Sequence, residues 1–243
     1  MTKIKICGLR RLEDAHTVNE GHPDFAGFIL TPSKRQVTTA QAAAIGRILD
    51  PSIARVGVFV KESPEEIAQA ASMIELDGIQ LHLDTTPAFL DELKNQLIRY
   101  SYGRSPFLWQ RLPVPSSEGE GDGQKSGDGQ KSGTGTDFSR RLASFADLSL
   151  FDGLLLDTYH DGQDGGTGKI FPWRSALTYI NQEGLLNSRI IVAGGLTIDN
   201  VADAISVFRP YAVDVSSGVE TDGYKDHDKV LRFIETARKA QVH

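Results

Sequence analysis

Residues 191–201 read IVAGGLTIDNV, and this stretch shows the local architecture that we expect to repeat along the chain. A β-branched run ends in Gly194 and Gly195, after which the apolar spacing is that of an amphipathic helix. Glycine destabilises a helix or strand by about 1 kcal/mol relative to alanine. Two glycines in succession at this junction therefore indicate a specific structural requirement. Either they form a tight turn, or they bring backbone amides close to an anion at a helix N-terminus.

Short apolar runs alternate with helical patterns throughout the chain. Helical spacing is clearest at Pro64–Ile74, Pro87–Ile98 and Asp226–Ala240. Eight strand–helix repeats whose strands lack strict alternation predict a (β/α)8 TIM barrel of the α/β class, formed as one domain by residues 1–243. A doubly wound open sheet is the alternative, although the first strand lacks a G-x-G-x-x-G motif. The candidate strands are Lys3–Cys7, Phe25–Leu30, Arg55–Val60, Gly78–His82, Pro106–Leu112, Phe151–Leu156, Arg189–Ala193 and Tyr211–Val215.

The composition excludes several classes of partner. The chain has 243 residues, of which 40% are hydrophobic, and a net charge of −6, which argues against a nucleic-acid surface. It has no apolar run long enough to cross a membrane and no signal-peptide pattern at its start, and we expect a cytoplasmic protein with no obligate protein partner. Cys7 is the only cysteine, which excludes an intrachain disulfide and a multi-cysteine metal site.

Residues 116–136 interrupt the pattern. The stretch SSEGEGDGQKSGDGQKSGTGT repeats Gly-Asp-Gly-Gln-Lys-Ser and contains no large apolar side chain, and we therefore expect a disordered, low-complexity insertion after strand 5. Long surface insertions are tolerated at little thermodynamic cost, which favours a passive insertion. A flap over the site or a tether for a partner is the other interpretation.

Polar and small residues follow the carboxyl ends of the predicted strands, where barrels carry their chemistry. Glycines after strand 7 and a Ser-Ser-Gly turn after strand 8 would expose several backbone N–H groups together, which favours a phosphate site over two unrelated tight turns. The candidate phosphate-binding residues are Gly194, Gly195, Ser216, Ser217 and Gly218.

Cys7 and Asp157 are the candidates for proton transfer. A free cysteine often only packs, and an ordinary thiol has a pKa of about 8.5, so a base at Cys7 needs a neighbour that favours the thiolate. Asp157 follows a buried run, GLLL, where desolvation would keep the carboxyl group protonated and suited to act as a general acid. An N-cap or a structural acceptor is the competing interpretation of Asp157.

Other polar residues are ambiguous. Asp214, inside strand 8, needs a polar ligand or an amide partner, whereas His82 is more often structural than catalytic at a strand end. The stretch GQDGGTGK at 162–169 fails the P-loop pattern and is instead a candidate mobile loop or a plain connector. Adjacent Asp226, His227 and Asp228 are better explained as solvated helix caps than as metal ligands, and we expect no metal site.

Seven blocks of sequence, in order, resemble the phosphoribosylanthranilate isomerase family of tryptophan biosynthesis. They are KIKICGLR (3–10), FAGFILTPSKRQV (25–37), VGVFV (56–60), IQLH (79–82), LLLDT (154–158) with GGTGKIFPW (165–173), IVAGGLTIDNV (191–201) and VDVSSGVETDGYKDHDKV (213–230). The resemblance implies a cofactor-free Amadori rearrangement of a small phosphorylated substrate, N-(5-phosphoribosyl)anthranilate, to 1-(2-carboxyphenylamino)-1-deoxyribulose 5-phosphate.

The resemblance also implies a role for individual residues. Cys7 corresponds to the family's base and Asp157 to its acid, while Arg35 would bind the anthranilate carboxylate with the bidentate geometry that lysine lacks. Asp214 would bind sugar hydroxyls, and the residues after strands 7 and 8 would hold the phosphate. His82 is placed among the substrate-binding residues, although Leu83 stands where the family commonly has glycine, and the insertion at 116–136 is a second departure.

Two other functions remain open from the residues alone. A histidine-pathway isomerase that rearranges a related aminoaldose uses the same scaffold. That relative is expected to have a pair of aspartates as acid and base, whereas strand 1 of this chain ends in a thiol. A non-catalytic barrel could bind a phosphorylated metabolite through the loops after strands 7 and 8. Cys7 and Asp157 together favour catalysis.

Overall fold

Eight parallel strands close into a barrel in the order β1 to β8, each hydrogen-bonded to the next. The structure is a computed structural model that describes residues 1–100, 105–115, 150–159, 173–182 and 189–240. The predicted (β/α)8 barrel is confirmed, and the open-sheet alternative is wrong because β8 pairs with β1. The strands are β1 (Lys3–Cys7), β2 (Phe25–Ile29), β3 (Ala54–Phe59), β4 (Gly78–Leu81), β5 (Phe107–Pro115), β6 (Gly153–Tyr159), β7 (Ile190–Val192) and β8 (Ala212–Val215).

Helices form an outer layer around the barrel. In the described ranges they are α1 (Leu12–Gly21), α2 (Thr39–Gly46), α3 (Pro64–Ile74), α4 (Pro87–Tyr100), α5 (Trp173–Gln182), α6 (Val201–Phe208) and α7 (His227–Lys239). The helix α3 begins at Pro64 as predicted, because Ser63 and Glu66 form a capping box around its first turn. A hairpin of β9 (Glu220–Thr221) and β10 (Tyr224–Lys225) lies between β8 and α7. The predicted insertion at 116–136 and the loop at 162–169 lie outside the described residues.

The register decides which side chains point into the barrel. Lys5 of β1 is level with Asp214 of β8, and Cys7 is level with Gly27 of β2. Side chains alternate along a strand, and Lys5 contacts both β4 and β8 across the interior, so Lys3, Lys5 and Cys7 point inward. The intervening isoleucines of β1 are buried against the helices.

The interior is apolar at the N-terminal end of the strands and polar at the C-terminal end. Trp109 is 2% exposed, and its ring centroid lies 5.0 Å from that of Phe25 and 4.9 Å from that of Phe107. The apolar plug contains Phe25, Val56, Trp109, Leu155, Ile191, Ala193 and Ala212. We call the opposite end the mouth: the C-terminal part of β1–β8 and the described residues that follow these strands.

Two strands extend further than the sequence predicts. The strand β5 runs through Pro113 to Pro115, and β6 continues past Leu156, so that Asp157 lies inside β6, level with Pro113. Phe107 donates its N–H to the carbonyl of Asp77, the residue before β4, and alternation directs the missing N–H of both prolines to that same side. Because β4 ends at Leu81, level with Gln110, neither proline leaves a ladder bond unmade.

The apolar plug predicts a large stability effect at Trp109. Trp109→Ala should lower the free energy of unfolding by about 3–5 kcal/mol, because it opens a cavity beneath Phe25 and Phe107. Urea denaturation followed by circular dichroism measures this change. Ile98→Ala, at a side chain that is 78% exposed, is the control and should stay within about 0.5 kcal/mol of the parent chain. If both variants lose the same free energy of unfolding, Trp109 does not stabilise the barrel through the apolar plug.

Candidate active site

The mouth brings Cys7, Arg35 and Ser216 around one glycine. Gly8 follows Cys7 with φ +84°, and an added Cβ there would lie 3.1 Å from Arg35 Cδ and 3.3 Å from Ser216 Oγ. Only glycine adopts this backbone conformation without strain and leaves that space open. Predicted residues from the ends of β1, β2 and β8 therefore meet at one point.

Cys7 is a buried thiol between cationic side chains. It is 5% exposed, and its sulfur fits beside β2 because Gly27 has no side chain: an added Cβ would lie 2.8 Å from Sγ. Burial raises the pKa of Cys7, and the ammonium groups of Lys5 and Lys225 oppose this effect while Asp214 adds to it. The neighbour that a thiolate needs is therefore present, on residues that the sequence analysis did not single out.

Asp214 points into the mouth and is ion-paired through one oxygen only. Its Oδ2 lies 2.9 Å from Lys5 Nζ, and Lys5 is completely buried. The second oxygen, Oδ1, is buried and accepts no hydrogen bond from the residues that the structure describes. A buried carboxylate oxygen in this condition is suited to accept a ligand hydroxyl.

His82 is held by Gln80 as a neutral ring. Gln80 Oε1 accepts from Lys5 Nζ at 2.9 Å, which directs the amide Nε2 to His82 Nε2 at 2.6 Å. Burial, with the nearby charges of Arg111 and Lys5, holds the pKa of His82 well below its ordinary value. His82 is therefore suited to hydrogen bonding rather than to proton transfer at neutral pH.

Asp157 is paired with an arginine from the neighbouring strand. Arg111 Nε lies 3.0 Å from Asp157 Oδ2, and the two side chains are 8% and 13% exposed. The expected partial burial of Asp157 is present, but a guanidinium at this distance favours the ionised carboxylate. The expectation that burial alone keeps Asp157 protonated therefore leaves out the nearby guanidinium group of Arg111.

Arg35 is oriented by Glu220 rather than exposed freely at the mouth. Glu220 accepts hydrogen bonds from Arg35 Nε at 2.8 Å and from Nη2 at 2.9 Å, and it also accepts one from Lys225 Nζ at 2.8 Å. The pKa of Glu220 is lowered, since these cations outweigh the effect of burial. Lys225 also donates to the Ser216 carbonyl at 3.0 Å, so the arginine is tied to the turn after β8.

The loops after β7 and β8 touch each other. Gly194 and Gly195 have φ +77° and +69°, and a Cβ on Gly218 would overlap the carbonyl oxygen of Leu196. The predicted Ser-Ser-Gly turn contains a short 3-10 helix, Ser217–Val219. Ser216 Oγ is buried without a hydrogen-bond partner among the described residues. The two turns that carry the predicted phosphate-binding residues thus lie against each other.

The sites that the sequence analysis rejected have structural explanations. Asp226 caps α7, accepting from the Lys229 N–H at 3.1 Å, and His227 hydrogen-bonds Glu20 and Asp228 at the surface. Within the described ranges, no three His, Cys, Asp or Glu side chains are grouped to hold a metal ion. No helix in these ranges has the length and apolar content that a membrane crossing requires.

Five residues of the mouth were missed by reasoning from sequence. Alternation in KIKIC places Lys5 on the same face as Cys7 and was the one available signal for it. The others are recognisable only through partners on different strands or loops. The missed residues are Lys5, Gln80, Arg111, Glu220 and Lys225.

Comparison with known proteins identifies the family of this chain. A family model described as N-(5'phosphoribosyl)anthranilate (PRA) isomerase matches residues 4–103 and 128–236, leaving out 104–127, which include part of the predicted insertion. The N-(5'-phosphoribosyl)anthranilate isomerase of Acetivibrio thermocellus is 39% identical over 240 residues, which are 99% of this chain and 97% of that protein. The isomerase of Clostridium acetobutylicum is 39% identical over 239 residues, which are 98% and 99% of the two chains.

Solved structures agree with the sequence comparison. Phosphoribosyl anthranilate isomerase from Thermotoga maritima superimposes with a TM-score of 0.74 at 33% identity, covering 98% of this chain and 100% of that chain. A phosphoribosyl anthranilate isomerase in complex with reduced 1-(o-carboxyphenylamino)-1-deoxyribulose 5-phosphate gives a TM-score of 0.71 at 32% identity, with the same coverage. This chain therefore belongs to the N-(5'-phosphoribosyl)anthranilate isomerase family.

Proposed function

We propose that this chain isomerises N-(5-phosphoribosyl)anthranilate to 1-(2-carboxyphenylamino)-1-deoxyribulose 5-phosphate, in tryptophan biosynthesis, with Cys7 as general base and Asp157 as general acid. The supporting observation is their placement: both point into the mouth, on β1 and β6, which β7 and β8 separate. A proton donor and a proton acceptor on different sides of one sugar suit a proton shift along its carbon chain. No cofactor is needed for this chemistry.

The unsatisfied polar atoms indicate how the substrate lies. Its phosphate fits at the amides after Gly194 and Gly195 and at the Ser216 hydroxyl, which has no described partner. Ser217 and Gly218 form the other side of this phosphate site. The sugar hydroxyls then lie near Asp214 Oδ1, and the anthranilate carboxylate reaches Arg35, whose Nη1 has no described acceptor because Glu220 uses Nε and Nη2. His82 remains a candidate hydrogen-bond donor to the substrate.

The first chemical step opens the ribose ring. Asp157 gives its proton to the ring oxygen, the bond from that oxygen to C1′ breaks, and the anthranilate nitrogen lone pair forms a C=N⁺ iminium. Arg111 favours the carboxylate form of Asp157 in the ligand-free site, but the bound substrate adds a carboxylate and a phosphate, and this negative charge favours protonation. Arg111 also fixes the direction in which Asp157 points.

The second step uses the thiolate of Cys7. Its sulfur takes the proton from C2′, the C–H electron pair becomes the C1′=C2′ double bond, and the iminium nitrogen is neutralised to give an enolamine. A proton then adds to C1′, the C2′ hydroxyl loses its proton, and the electrons of the C1′=C2′ bond and of the O–H bond shift to give the ketone. The base must be a reduced thiol, and the cytoplasm maintains that state, which supports cytoplasmic residence.

A histidine-pathway activity on this scaffold is less well supported. The acid and base expected of that enzyme are two carboxylates, whereas the inward-pointing residue at the end of β1 in this chain is a cysteine. The two relatives that are 39% identical are both named N-(5'-phosphoribosyl)anthranilate isomerase. A purely binding barrel leaves the placement of Cys7 and Asp157 without an explanation.

Removing either proton-transfer group should slow turnover strongly with little effect on substrate binding. Cys7→Ala and Asp157→Asn should each lower kcat by about 10²–10⁴-fold, the range for a general acid or base, while KM stays nearly constant. Loss of phosphoribosylanthranilate fluorescence measures the rate. Cys7→Ser is the matched control for packing, since it keeps the shape of the side chain but is a much weaker base. An unaltered kcat for Cys7→Ala would remove Cys7 from the mechanism.

The role of Arg35 predicts a binding defect. Arg35→Lys keeps the positive charge but loses the two-nitrogen geometry, and KM should rise about 10- to 100-fold, as for the loss of charge-assisted hydrogen bonds. Lys34→Met, at an exposed neighbour whose carbonyl rather than side chain contacts Arg10, is the control and should leave KM unchanged. If both variants have the parent KM, the carboxylate does not bind at Arg35.

The close contact at Gly218 predicts a specific loss of phosphate affinity. Gly218→Ala forces the loops after β7 and β8 apart, because the new Cβ would overlap the Leu196 carbonyl. KM and the inhibition constant of inorganic phosphate should both rise roughly tenfold or more, through the loss of one or two charge-assisted hydrogen bonds. Gly46→Ala in α2 is the control: the new Cβ would come closest to the flexible Arg55 side chain, with Cδ 3.3 Å away, and would lie 3.9 Å from the Ile74 carbonyl oxygen, so neither constant should change. Unchanged constants in Gly218→Ala would place the phosphate elsewhere.

A further inference from the structure

Lys5 is an ammonium group with one donor to spare. It is completely buried, and its Nζ lies 2.9 Å from Asp214 Oδ2 and 2.9 Å from Gln80 Oε1. An ammonium has three N–H donors, of which these two acceptors use two. The third N–H is available to a neighbour on the same face of β1.

That neighbour is Cys7, two residues along the same strand. A Cβ placed on Gly27 would lie 2.8 Å from Cys7 Sγ and 3.1 Å from Lys5 Cε, so both side chains border the same empty position above Gly27. Asp214 from β8 and Gln80 from β4 hold Lys5 from the other side. The lysine therefore has little freedom to move away from the sulfur.

We propose that Lys5 is a positioning residue for the reaction, because its ammonium group, fixed by Asp214 and Gln80, is the counter-ion of the Cys7 thiolate. This rests on the proposed function, in which Cys7 is the base. The thiol loses its proton to solvent, the resulting negative charge lies beside the ammonium group, and the same sulfur later forms its S–H bond with the proton from C2′. Lys5 keeps its proton throughout and exchanges none with the substrate.

The charges that face Cys7 fix the signs of the expected effects. In the part of the chain that the structure describes, they are Lys5 on its own strand, Asp214 on β8, Lys225 on β10 and Arg35 after β2. A cation favours the thiolate and an anion opposes it, so Lys5 and Asp214 must act in opposite directions although they are paired with each other. If Lys5 only filled space, its replacement would not raise the thiol pKa while replacement of Asp214 lowers it.

The experiment is a pH titration of the thiol in the absence of substrate. Cys7 is the only cysteine, so ultraviolet thiolate absorbance reports on it alone once the spectrum of Cys7→Ser has been subtracted to remove tyrosinate. Lys5→Met should move the thiol pKa upward by about one to three units, the range for losing an adjacent opposite charge. Asp214→Asn should move it downward. Lys5→Arg retains a cation, and its thiol pKa should therefore lie between that of the parent chain and that of Lys5→Met.

Lys3→Met is the matched control. Lys3 is the same residue type on the same face of β1, but its ammonium lies over the rings of Phe25 and Tyr211, at 5.3 Å and 5.4 Å from their centroids, at the other end of the barrel. Its replacement should leave the thiol titration unchanged. In turnover, Lys5→Met should also shift the acidic limb of the kcat/KM profile to higher pH.

Each outcome decides the assignment. A Lys5→Met titration equal to that of Lys3→Met would overturn it. If Lys5→Met does not fold, Asp214→Asn still tests the pairing, because an unchanged or raised thiol pKa in that variant would also overturn it. Failure of the proposed function would appear differently, as full activity in Cys7→Ala, and the substrate-free titration would still report on the Lys5–Cys7 pair.

Discussion

An ammonium group with no exposed surface is the constraint on which the mouth of this barrel depends. Burying a charge costs several kcal/mol unless it is paired and hydrogen-bonded, and Lys5 is buried completely. Burial alone lowers the pKa of Lys5, but attraction to Asp214 and Cys7, with their hydrogen bonds, outweighs it and raises the pKa. While Lys5 is buried, its charge is stabilised by Asp214 of β8, which links the pairing of β1 with β8 to the chemistry of the mouth.

Among the described residues, three groups of ion-paired side chains lie at the mouth, and these groups together carry a positive charge. Lys5 pairs with Asp214, Arg111 with Asp157, and Glu220 with both Arg35 and Lys225. These groups contain four cations and three carboxylates, although the whole chain carries a net charge of −6. An anionic ligand is attracted by such a local excess, while the carboxylates fix the direction of each cation. The charge of the sequence as a whole gives no indication of this local reversal.

The sequence is sufficient for what depends on local pattern and insufficient for what depends on pairing across the barrel. All eight strands are predicted, and β1 and α3 have the predicted bounds, because apolar runs, proline and capping residues are local signals. The sequence places Asp157 after its strand, because the apolar run ends at Leu156, whereas β6 continues past Asp157 alongside the extended end of β5. Glu220 and Arg35 are separated by 185 positions, and no spacing rule relates them.

The hydrogen-bond chain from Asp214 to His82 explains why a histidine at the mouth is kept out of proton transfer. Lys5 can only donate, so Gln80 must present its oxygen to Lys5 and its N–H₂ group to the ring. His82 Nε2 must then be an acceptor, which leaves the ring proton on Nδ1 and makes the imidazolium form incompatible with the chain. The charge on Lys5 thus sets the tautomer of His82 and also favours the thiolate of Cys7. Lys5 thus gives the two residues different roles: Cys7 can accept a proton, whereas His82 can only form hydrogen bonds.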